Sequence, residues 1–146
     1  MMGSISLAQA QSMITDSIHW AQENNQHIAV AVVDSVGELI AFSRMDETSP
    51  QTCLLAQNKA YTAARDRQKT SQLAAWAKET SKTINFWTDP RITGMAGGVP
   101  VKDKAGKVVG AIGISGMAEL DDEALAQNII AQFYPTKEQV NDSKNI

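Results

Sequence analysis

The sequence predicts an α+β fold, a small antiparallel sheet packed by helices. Two hairpin patterns carry that reading: residues 28–33 with 39–45, and residues 99–101 with 108–115. Helical patterns stand before, between and after the hairpins. That order suits one sheet with helices on its faces.

Each element has a local cause. Ser6 and Gln9 match a capping box, a hydroxyl for a free backbone N–H and an amide reaching back. Leu7, Ala10, Ile14, Ile18 and Ala21 then recur at helical spacing, to about Asn24. Asn24, Asn25 and Gln26 break the helix. Residues 28–33 form an unbroken apolar run rich in β-branched side chains, the mark of a strand covered on both faces. Gly37 supplies the turn into residues 39–45. Ser49 and Pro50 start the next helix as N-cap and first helical residue; it carries Leu54, Ala56, Ala60, Tyr61 and Ala64. Thr70 or Ser71 is expected to cap a shorter helix holding Leu73, Ala74, Trp76 and Ala77. Residues 83–98 read as an irregular loop, a length that favours function. Pro100 lacks an N–H for a ladder, which places its strand at an edge or the proline at the strand start. Asp121 is expected to cap a last helix from Asp122 to about Tyr134, with Ala124, Leu125, Ile129 and Phe133 inward, and Pro135 ends it. The domain is expected over residues 1–134, with 135–146 as a polar, mobile tail.

Composition excludes several classes. The chain has 146 residues, 43% hydrophobic and 20% charged, as expected of one ordinary globular domain. Net charge is −3 and no basic run occurs, so nucleic acid is not an expected partner. Arg65, Arg67 and Lys69, interrupted by Asp66 and Gln68, read as a solvated helix end. Cys53 is the one cysteine, so no intrachain disulfide is available. It sits one turn into a helix, where burial is expected. The first residues lack a basic region followed by a long apolar stretch, and no apolar run is long enough to span a bilayer. A soluble cytoplasmic protein without a membrane partner is expected.

The order and spacing of several segments resemble the GlcG/HbpS family, a domain also found at the C-terminus of some cobalamin adenosyltransferases. The matching residues are 31–34 with Gly37, then 42–46 (Phe-Ser-Arg-Met-Asp) and 59–63 (Lys-Ala-Tyr-Thr-Ala). They continue with 97–101 (Gly-Gly-Val-Pro-Val), 110–116 (Gly-Ala-Ile-Gly-Ile-Ser-Gly) and 121–123 (Asp-Asp-Glu). The resemblance implies a profilin-like sandwich with about five strands. It implies a homo-oligomer, often an octamer, that binds or senses a small ligand. Several members bind haem, and related proteins accompany glycolate, propanediol and glycerol use.

His19 and His27 are the only histidines and so the only imidazoles for haem iron. At about 100° per residue from Leu7, the apolar stripe of the first helix centres near roughly 340° and His19 falls near roughly 120°. A haem on His19 would lie outside the protomer's own core, between subunits. An ordinary exposed histidine is the competing reading, and His27 reads as structural or solvated. Met13 and Trp20 form an apolar flank off the stripe, either the rim of the core or a subunit contact. Gly110, Gly113 and Gly116 recur in a strand, which marks close approach of another backbone or of a ligand.

Other chemistries find little support. Two histidines on separate elements and one cysteine give no zinc spacing. Asp121, Asp122 and Glu123 suit the positive end of a helix and oppose an anion there. Ser115 has no histidine nearby in sequence to activate it. Arg44 and Arg91 could meet a carboxylate or haem propionate, and surface ion pairs explain them equally well. The leading expectation is a non-catalytic, oligomeric binding module, with haem iron on His19. Gly97, Gly98, Gly113, Ser115 and Gly116 would line the approach, and Arg44 or Arg91 would meet acidic groups. An enzyme acting on haem or in corrinoid or diol metabolism is one rival. A ligand-free oligomeric scaffold is the other.

Overall fold

The computed structural model describes residues 3–135. Helix α1 (Leu7–Glu23) leads to strands β1 (Ala29–Asp34) and β2 (Leu39–Arg44). Helices α2 (Pro50–Asp66) and α3 (Thr70–Thr80) and a 3₁₀ turn (Ile84–Trp87) follow. Strands β3 (Gly98–Lys102) and β4 (Val108–Ser115) and helix α4 (Glu119–Phe133) complete the domain. The sheet is antiparallel in the order β2-β1-β4-β3. Four strands stand where about five were expected, among the described residues, and the α+β class holds. Residues 136–146, most of the expected tail, lie outside the described residues.

Strand β1 is central and buried from Ala29 to Val33, as its continuous apolar run requires. Ile28, Val30 and Val32 face α1 and α4 with Ile112 and Ile114. The alternate residues Ala29, Ala31 and Val33 face α2, which presents Cys53, Ala56, Ala60, Ala63 and Ala64. The two faces differ in thickness. One packs long aliphatic chains; the other brings helix backbone nearly onto sheet backbone. β3 is an edge strand, which accommodates Pro100.

The capping pair at Ser6 and Gln9 forms, and Ser49 caps α2 ahead of Pro50. Other expectations need correction. Leu7 is 54% exposed and Met13 is fully buried. Ile5 enters the core instead, its N–H bonded to Val109 O at 3.0 Å, so the chain rises from the sheet and Leu7 turns outward. The buried face of α1 is Ala10, Met13, Ile14, Ser17 and Ala21, with the Ser17 hydroxyl donating to Met13 O at 2.7 Å.

Helix α3 is preceded by Lys69, whose N–H is accepted by Gln72 Oε1 at 2.9 Å. Thr70 is the first helical residue and does not cap. It is buried and its Oγ1 accepts the Gly98 N–H at 3.1 Å, fastening β3 to α3. Helix α4 starts at Glu119, earlier than expected, with Ala118 at the N-cap. Asp122 is therefore inside the helix, buried, and Ala124 is exposed. Arg65 and Arg67 are not merely solvated. Their Nη1 atoms donate to Val36 O at 3.2 Å and Ser35 O at 2.6 Å, clamping the β1–β2 turn.

Candidate functional site

His19 projects from the polar face of α1. Its side chain is 70% exposed and its Nε2 lies 2.9 Å from Glu23 Oε1, one turn on. His27 is exposed, with Nδ1 3.1 Å from the Asp46 carbonyl. Arg44 ends β2 opposite Ala29, and so on the α2 side of the sheet. Arg91 lies over Tyr61 of α2, 3.9 Å from the ring centroid, and its Nε donates to Asn58 Oδ1 at 3.3 Å. One protomer therefore does not bring His19 together with Arg44 and Arg91: they flank opposite faces of the sheet.

The Tyr61 hydroxyl donates to Asp89, and this bond raises the Tyr61 pKa and lowers that of Asp89. Both shifts are consistent with one shared hydrogen bond to a charged carboxylate. The Arg91 N–H adds a second bond to Asp89 at 2.9 Å.

Gly97, Gly98, Gly113 and Ser115 do come together, beneath α2. Gly98 and Gly113 stand opposite each other on neighbouring strands. A Cβ on Gly98 would strike the Lys59 carbonyl, and one on Gly113 the Ala56 carbonyl and Ala60 N. Gly116, at the end of β4, is pressed against the His27 carbonyl. The close approach at these glycines is thus of protein backbone to protein backbone. Ser115 is buried and paired with Ala29 across the ladder.

At the centre of that cluster is a pair that the sequence reading passed over. Lys59 Nζ donates to Asp122 Oδ2 at 3.2 Å and to Ile114 O at 2.9 Å, and both side chains are 1% exposed. Asp122 Oδ1 also accepts the Met117 N–H at 3.1 Å. Gly97, with φ at +130°, leaves the room: a Cβ there would lie 2.8 Å from Lys59 Nζ. Burial pushes the Asp122 carboxyl up to about 6, against the pull of Lys59, and burial lowers the Lys59 pKa. The signal was present in the pattern. Lys59 falls in the Ala56, Ala60, Ala63 stripe, and Asp122 in the Leu125, Ala126, Ile129 stripe. A charge on each of two core stripes is the mark of a buried pair.

Between the last turns of α1 and the start of α4 lies a depression of about 360 Å³, lined by Trp20, Gln26, Met117, Asp121, Leu125 and Asn128, among others. A second, of about 430 Å³, runs between α4 and the β3 edge, beside Pro100 and Tyr134. A third, of about 480 Å³, is bordered by Ser71, Gly94, Glu119 and Leu120. None of these three is lined by His19, Arg44 or Arg91. Among the described residues, no group of three histidine, cysteine or acidic side chains is placed to hold a metal ion.

Taken together, these features define a small α+β domain with a sealed ionic centre and its polar donors on the outside. The chain belongs to the HbpS-like family: the family model described as "Haem degrading protein HbpS-like" matches residues 5–131. It is similar to Protein GlcG of Escherichia coli K12, with 37% identity over 111 residues, 76% of this chain and 81% of that protein. The crystal structure of Klebsiella pneumoniae ORFY superposes with a TM-score of 0.80 at 32% identity, covering 88% of this chain and 90% of that one. A double mutant of Streptomyces reticuli HbpS gives 0.79 at 30% identity, covering 88% and 86%.

Proposed function

We propose that this chain is a small-molecule binding module that takes haem on His19, at a surface completed by another copy of itself. The observation that carries the reading is the solvent-exposed imidazole on α1 in a chain of the HbpS-like family. The donor fits: Glu23 holds Nε2, as a carboxylate that orients a ligating imidazole does, and Nδ1 is the nitrogen that would meet the iron. The wall does not come from this protomer, because Thr15, Asp16 and Glu23 around His19 are exposed and polar. A second copy would supply the apolar cover that haem needs. Arg44 or Arg91, on the far side of the sheet from the protomer's own His19, would then meet propionates of a haem held by a neighbouring copy. Gly97, Gly98, Gly113, Ser115 and Gly116 would serve by seating α2, which carries Asn58 and Tyr61 beneath Arg91.

Bound haem would supply an iron centre for redox or oxygen chemistry. The buried Lys59–Asp122 pair is sealed from solvent, which favours binding over acid–base catalysis. A cytoplasmic place beside glycolate, propanediol or glycerol use is part of the same reading. No helix among the described residues is long and apolar enough to cross a membrane.

Haemin titration followed by visible absorption tests it. A saturable, shifted Soret band, lost in His19→Ala, is the expected result. A band that survives the substitution, or no specific band, would overturn His19 as the ligand. The family description favours a second reading, haem breakdown; decay of the bound spectrum under reductant and air, faster than for free haemin, would support it.

A further inference from the structure

The first turns of α4 carry Glu119, Asp121, Asp122 and Glu123. Three of these carboxylates are already engaged. Glu119 Oε2 accepts the Ala96 N–H at 2.9 Å, Asp122 takes Lys59 and the Met117 N–H, and Glu123 accepts the Ser71 hydroxyl. Asp121 alone has no side-chain partner among the described residues, and it is the one that lines the α1–α4 depression. The same depression is lined by Trp20, 37% exposed, by Met117 and Leu125, and by the amide residues Gln26 and Asn128. No lysine or arginine lines the depression.

We propose that this cleft binds a small organic cation, an alkylammonium compound, between Trp20 and Asp121. An uncompensated carboxylate opposes anions, and the positive end of the α4 dipole is already offset by the neighbouring acids. An indole and a carboxylate lining one cleft suit an alkylated ammonium, whose charge is drawn to both while its methyl groups displace water. Met117 and Leu125 add apolar contact. The site is distinct from His19 and does not rest on haem binding.

Choline is the probe, titrated into the full chain under proton–nitrogen correlation spectroscopy, with Trp20→Phe assigning the Trp20 indole N–H. The Trp20 signal should move saturably, and Asp121→Asn should weaken binding by about tenfold. The uncharged isostere, with tert-butyl in place of trimethylammonium, should bind more weakly by a similar factor. His19→Ala should leave choline binding unchanged while removing the Soret shift, so failure of one site is distinguishable from failure of the other. No saturable movement, equal affinity in Asp121→Asn, equal binding of the neutral isostere, or loss of choline binding in His19→Ala would each overturn the proposal.

Discussion

Lys59 and Asp122 are the residues on which the interior turns. Removing one member of a buried pair leaves the other charge without compensation, so Lys59→Ala should cost about 3–5 kcal/mol in chemical denaturation. The pH dependence has a definite sign. Asp122 titrates at about 6 in the folded chain against an ordinary 3.8. The folded state therefore holds this proton more tightly than the unfolded one. The stabilisation from that proton is complete below about pH 4 and is lost as pH rises through about 6. The stability of the wild type relative to Asp122→Asn should accordingly grow between pH 7 and pH 4. Parallel curves over that range would refute the assignment. Asp122 shows why part of the site escaped the sequence: an acid near a helix start reads as dipole compensation, and only the partner on a distant helix reveals it as core. The exposure of His19 was legible because it lies far enough round the helix from the apolar stripe to stay outside even though the stripe itself was misplaced.

At the scale of elements, the contact between α2 and the sheet is decisive. Gly98 and Gly113 lie side by side under α2, where any Cβ meets helix backbone. Gly113→Ala should destabilise the domain by about 3 kcal/mol, because a helix cannot rotate away as a side chain can. Gly106→Ala is the control. Its φ is +81° with open space around the missing Cβ, so only local backbone strain, about 1 kcal/mol, is expected. Equal losses in urea titrations would mean that the close approach is not the cause. The hairpins, the order of elements and the caps of α1 and α2 were legible because local chemistry decides them. The starts of α3 and α4 were not. Thr70 bonds to Gly98 and Asp122 to Lys59, so long-range partners claim the side chains that would otherwise cap. The face of α1 was misplaced for a like reason: buried Ile5 precedes the helix and takes the position that Leu7 seemed to fill.

For the whole molecule, the separation of His19 from Arg44 and Arg91 across the sheet has a direct consequence. If one haem is to meet all three kinds of group, more than one copy must contribute. Light scattering on the eluting protein should give a mass of at least two copies of the 15.8 kDa chain. A stable monomer that still binds haem through His19 would contradict the shared surface. The sheet also divides the domain mechanically. On one side, α2 meets β3 and β4 backbone against backbone at Gly98 and Gly113, and only a thin layer of alanine, valine and cysteine separates it from β1. On the other side, α1 and α4 ride on a cushion of isoleucine, valine, leucine and methionine with an open seam between them. Rotamer changes in that cushion allow small sliding without breaking a ladder. A ligand entering between α1 and α4 would therefore meet side chains that can change rotamer, whereas one pressed upon α2 would meet backbone that cannot yield.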